Sequence, residues 1–117
     1  MELNELQRQS WAHEIAKGFH AGELFDGGEK QIGHFYSKIA LTMSELAELT
    51  EAMRASTLKQ ECNKQGTNLS NAEEEIADAF IRLAGLAALL DIKDLDKAVQ
   101  VKIDYNKTRP IKHGKNS

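Results

Sequence analysis

Between Ile76 and Leu90 the chain reads IADAFIRLAGLAALL, in which only Asp78 and Arg82 carry charge. The run falls short of the ~20 apolar residues needed to span a bilayer. It predicts a helix that is apolar nearly all round and therefore buried. A carboxylate without compensation is expensive in such a helix. At about 100° per residue, Glu75, Asp78 and Arg82 fall on one stripe. A second acidic pair upstream, Glu45 and Glu48, suggests that a metal faces it.

The chain has 117 residues, which predicts a single domain over 1–117 with a polar tail from about 110. It holds 13 Leu, two Val and one Pro, a balance that favours helix over strand. A net charge of −3 makes no case for general nucleic-acid binding. The charge is unevenly spread: eight acids against three bases in 45–78, and six bases against one acid in 97–115. An acidic cradle with a basic arm suits a polyanion carried with cations; two solvated helix faces would look the same by charge alone. Cys62 is the single cysteine, so no intrachain disulfide forms. That thiol, with no signal-like segment and no transmembrane run, predicts a cytoplasmic protein without membrane contact.

Four helices are expected, over about 3–19, 32–56, 70–90 and 94–107, in an all-α bundle. Five of the eight glycines fall between Gly18 and Gly33 and mark a loop, either a lid or a plain connector. In the second helix Ile32, Phe35, Ile39, Leu46, Leu49 and Met53 form the main apolar stripe. Glu45 and Glu48 lie on another stripe with Leu41, Ala52 and Ala55, which predicts a second inward face. Glu51, beside Arg54, reads as surface. Ser70-Asn71-Ala72-Glu73 is a capping-box pattern, which gives Glu73 a structural task and leaves Glu74 to solvent. Asp94 can cap the fourth helix, on which Leu95, Val99, Lys102, Asn106 and Arg109 share a stripe.

Two acids at i and i+3 on each of two helices can point four carboxylates into one core. Four like charges do not coexist there unneutralised. Oxygen-only ligands favour Mg²⁺ or Mn²⁺. A di-iron site needs Glu-x-x-His on two helices, and none of His13, His20, His34 and His113 follows a Glu by three. Zinc lacks a Cys/His cluster. Glu-x-x-Glu is common as solvated charge; the apolar surroundings of Asp78 shift the weight toward a buried site.

Ser44-Glu45-Leu46-Ala47-Glu48, followed after 26 intervening residues by Glu75-Ile76-Ala77-Asp78, resembles the ExxE…ExxD signature of MazG-like, all-α nucleotide pyrophosphohydrolases. Lys102-Ile103-Asp104-Tyr105-Asn106-Lys107-Thr108-Arg109-Pro110, then Lys112-His113-Gly114-Lys115, is similar to the KxxYNxxRP…HGxK ending of small single-domain bacterial and phage members. The resemblance covers roughly residues 32–115.

The resemblance implies a four-helix MazG-like fold and Mg²⁺-dependent hydrolysis of (deoxy)nucleoside triphosphates between the α and β phosphates, serving nucleotide-pool cleaning. Glu45, Glu48, Glu75 and Asp78 would be both catalytic and metal-binding, with Mn²⁺ as the other candidate ion. Lys102, Asn106 and Arg109 would meet the phosphates, while Lys102 and Arg109 also read as partners of acids or solvent; His113 would either close over the phosphates of a neighbouring subunit or lie in a disordered tail. Arg82 would orient Asp78 or serve as a buried counter-ion. Trp11 and His20, with Phe19, Phe35 and Tyr36, are candidates to stack on the base; aromatics at this spacing also read as core. A homodimer or homotetramer is expected. The rival readings are a non-catalytic helical interaction module and a nucleotide-binding regulator.

Overall fold

The computed structural model describes residues 2–18 and 29–110. They form four helices: α1 (Leu3–Ala16), α2 (Glu29–Arg54), α3 (Asn71–Leu89) and α4 (Leu95–Lys107). The architecture is all-α, and no helix is long and apolar enough to cross a membrane. Helix α3 lies centrally, packed against α2 on one side and α1 on the other, while α4 docks on α1.

The predicted boundaries shift for local reasons. Helix α1 stops at Ala16 rather than residue 19, because Gly18 takes φ +81° and its N–H turns back to Ile15 O. Helix α2 begins at Glu29, ahead of the expected residue 32, and ends at Arg54. There Ser56 adopts φ 59° and Thr57 N–H reaches back to Ala52 O, the Schellman closure that usually uses glycine. Asp91, at φ 57°, closes α3 in the same way through Ile92 N–H to Ala87 O.

The start of α3 is fixed twice over. Ser70 Oγ accepts from Glu73 N–H while the Glu73 carboxylate accepts from Ser70 N–H, so the expected capping box forms. The connection from α2 then folds back upon it. Asn71 N–H donates to Gln60 O, Ala72 N–H to Leu58 O, and Cys62 N–H to Leu69 O. Cys62 is buried in this loop, with Sγ 3.6 Å from Thr67 Oγ1. These bonds hold the end of α2 beside the start of α3. The two helices run antiparallel, and each acidic pair stands about two turns from the connection.

The core sits in the C-terminal half of α3, where Ala84, Ala87, Ala88 and Leu89 are buried. Small side chains there admit α1 at close range. The middle of the helix differs from expectation. Phe80 is 57% exposed, and Ile76, Ile81 and Leu83 are exposed with it. Two flanking helices cannot cover a helix that is apolar on every side. On α2 Tyr36, Met43, Leu46 and Met53 are likewise exposed.

The first turns of α1 and α4 clasp each other. Leu3 and Asn4 N–H groups donate to the Asp96 carboxylate, each at 3.0 Å. Asn4 Oδ1 in return accepts from Leu95 N–H at 2.7 Å and Asp96 N–H at 3.2 Å. Asp94 caps α4 as expected, accepting from Lys97 N–H, and also accepts from Asn4 Nδ2. Each helix thereby satisfies backbone donors that the other would leave open.

Candidate metal centre

The antiparallel register sets Glu45 and Glu48 of α2 against Glu75 and Asp78 of α3. One carboxylate oxygen from each of Glu45, Glu48 and Glu75 lies within 4.8 Å of the others, and the same holds for Glu74, Glu75 and Asp78. Glu75 belongs to both trios and is the hinge of the cluster. Of the four acids singled out in the sequence, Glu45, Glu48 and Glu75 come together, and Asp78 joins them through Glu75. Glu45 is buried, Glu75 and Asp78 are half-buried, and Glu48 is exposed.

Electrostatics reflect this crowding. Burial, followed by the adjoining Glu48 and the charges of Glu45 and Glu74, pushes the Glu75 carboxyl up to about 8. Burial, then Glu45 and Glu74, also raises Asp78; the nearby Arg82 partly offsets this. Glu75 Oε2 is buried and meets no hydrogen-bond donor. Clustered acids alone do not specify an ion. A buried carboxylate oxygen without a donor, on the residue shared by both trios, is what sets this cluster apart.

Two expectations are corrected. Glu74 does not simply face solvent: its side chain is mostly buried, it joins the second trio, and Lys64 Nζ lies 3.5 Å from its Oε1. The backward-folded loop that pins α3 also covers this side. Of the two roles expected of Arg82, it takes that of counter-ion, and to Glu45 rather than Asp78. Its Nε donates across the helix pair to Glu45 Oε1 at 3.1 Å. Register between helices, rather than spacing along one, decides that partner. Glu51 is on the surface as expected, with Arg54 at 2.7 Å.

Among the described residues α4 packs chiefly on α1, and its basic stripe makes no ion pair with the acidic cluster. Lys102 Nζ and Arg109 Cζ lie over the Tyr105 ring, 4.9 and 5.6 Å from its centroid. Asn106 Oδ1 is buried without a hydrogen-bond partner. Trp11 is half-buried on α1. Phe35 and Tyr36 meet edge to face at 5.5 Å, with Tyr36 exposed. Phe19, His20 and His113 lie outside the described residues, as does most of the glycine-rich loop.

Sequence reasoning missed a cleft beside the cluster, bounded by Asp78 and Arg82 of α3 and lined by α1 and α2. In its wall Lys38 of α2 bonds to the Glu14 carboxylate of α1, and both side chains are largely buried. A signal was available in Gly85, the one glycine in the apolar run of α3. A Cβ there would stand 2.6 Å from Glu14 Oε2, so the missing side chain is the seat of that carboxylate. The chain matches no family model, no curated protein and no solved structure.

Proposed function

We propose that this chain is a Mg²⁺-dependent nucleoside triphosphate pyrophosphohydrolase of MazG-like type, with Mn²⁺ as an alternative ion. The observation that carries the proposal is the trio of Glu45, Glu48 and Glu75, linked through Glu75 to Asp78, together with a buried Glu75 oxygen that has no donor. Such an all-oxygen set fits a hard divalent cation. When bound, the ion would neutralise phosphate charge and lower the pKa of a water. Arg82 holds Glu45 in place, so one carboxylate of the cluster is aimed before substrate arrives. A carboxylate of the cluster left free of the ion takes the proton of the attacking water.

Lys102, Asn106 and Arg109 suit phosphate as point charge, amide and fork. Because α4 docks on α1, they serve the cluster most simply from a neighbouring copy. The exposed apolar residues of α2 and α3 support such a homodimer or homotetramer. A cytoplasmic place in nucleotide-pool cleaning belongs to the same proposal.

The test is incubation of ribo-, deoxy- and modified nucleoside triphosphates with the protein and Mg²⁺, assayed for monophosphate and pyrophosphate. Equal release of both is expected, and loss of both in Glu48→Ala. Release of orthophosphate in their place overturns α–β cleavage.

A further inference from the structure

The cleft between α1, α2 and α3 has a volume of about 800 Å³, within the range of small-molecule sites. Its rim includes Asp78 and Arg82, so it opens beside the acidic cluster. A ligand whose charged end lies at the acids has its uncharged end here. Leu6, Leu41 and Ile81 give the cleft apolar walls that fit the faces of a flat ring.

Two polar features in it are not explained by folding. Ser10 is 4% exposed, lines the cleft, and its Oγ has no hydrogen-bond partner. Alanine forms a helix better than serine and leaves no hydroxyl unpaired. Serine at this position serves the fold poorly. Lys38, 7% exposed, bonds to Glu14. A buried ion pair is a weak source of stability, yet all three helices contribute to this one: Glu14 from α1, Lys38 from α2, and the seat at Gly85 from α3. An ammonium group has three donors, and Glu14 uses one. The wall therefore offers a fixed donor from Lys38 and a hydroxyl from Ser10 that donates or accepts.

We propose that this cleft reads the base of the nucleotide, with Lys38 donating to a ring carbonyl and Ser10 bonding the adjoining position of the ring edge. The inference rests on the triphosphate reading above. It predicts preference for bases that carry a ring carbonyl, such as uracil, over adenine, which has none.

The test uses the full chain with Mg²⁺ and the non-hydrolysable α,β-imido triphosphates of uridine and adenosine, measured by calorimetry. The uracil compound is expected to bind at least ~10-fold more tightly, since its projecting carbonyl accepts from Lys38 where adenine presents ring nitrogens set back from the edge and an amino donor beside them. Ser10→Ala should weaken uracil binding roughly 3- to 10-fold while the melting temperature of the unliganded protein stays or rises. Equal affinity for the two bases overturns the proposal. So does a Ser10→Ala protein that melts lower and binds unchanged, since serine would then be structural. In either case pyrophosphate release from any triphosphate leaves the cleavage reading standing. Tighter binding of free uridine than free adenosine, with no pyrophosphate released from any triphosphate, upholds the cleft and overturns the reaction. Absence of binding by nucleosides and triphosphates alike overturns both.

Discussion

Arg82 Nε stands 3.1 Å from Glu45 Oε1, a cation supplied by α3 to the most buried acid of α2. It is the one fixed positive charge bonded to the acidic trio of Glu45, Glu48 and Glu75 among the described residues. Removing it leaves Glu45 buried among like charges. Arg82→Met should destabilise the metal-free protein by about 1–3 kcal/mol at neutral pH, below the usual loss for a fully buried pair because Arg82 is partly solvated. Addition of Mg²⁺ should recover most of the loss. Denaturant melts with and without Mg²⁺ check both statements, and a loss that Mg²⁺ does not repair would separate Arg82 from the cluster.

Glu75→Gln should have opposite effects on stability and turnover. The amide keeps the shape, supplies a donor to Glu48, and removes the charge most opposed by its surroundings. The metal-free protein should gain about 1 kcal/mol at pH 8 and above. Pyrophosphate release should fall to background. Thermal melts and a coupled pyrophosphate assay on one preparation read out the pair.

The pH dependence has a defined sign. The folded protein raises Glu75 from 4.5 to about 8, so it binds more protons than the unfolded chain between those values. Stability from this group is greatest at and below about pH 4.5 and is lost as pH rises through 8. Asp78, also raised, adds to the same slope. Metal-free melts across this window should decline with pH by that contribution, and saturating Mg²⁺ should flatten it, since the ion binds ionised ligands.

Gly85→Ala tests the close approach of α1. Alanine favours a helix over glycine by about 1 kcal/mol. Here its Cβ would stand 2.6 Å from Glu14 Oε2. Glu14 must give way and loosen its bond to Lys38. A net loss of roughly 1–3 kcal/mol is expected despite the better propensity. An unchanged or raised melting temperature would show that Glu14 has somewhere else to go.

Ser56→Gly should stabilise the protein by about 0.5–1 kcal/mol. Ser56 holds φ 59° at the end of α2, where glycine carries no steric penalty. The residue is exposed and distant in role from the acids, so turnover should not change.

What was legible in the sequence was local. Ser70 and Glu73 announced their capping box, and Asp94 its cap, because each lies within one turn of its partner. Spacing put Glu45 beside Glu48 and Glu75 beside Asp78, and the two pairs do meet. What depends on one helix against another was not legible. Spacing offered Arg82 either Asp78 one turn away or an unnamed acid as partner, and it bonds to Glu45. Glu74 looked like surface until the loop from Leu58 to Leu69 folded over that side. The apolar run of α3 implied burial all round, but α2 and α1 cover only part of its circumference, leaving Phe80 and Leu83 outside.

The clasp of Asn4 with Asp94 and Asp96 bears on how the molecule comes together. Its bonds join positions 90 or more apart in the chain. Helix α1 is too short to persist alone in water, and its first donors find their acceptors on a segment made much later. The α2–α3 pair, joined by 16 residues, can close early at less entropic expense. The acidic cluster would then be complete in a nascent chain before either Ser10 or Glu14 has a fixed place. Pulse-labelled exchange during refolding should show protection of α3 against α2 ahead of α1, with Asn4→Ala lengthening the delay.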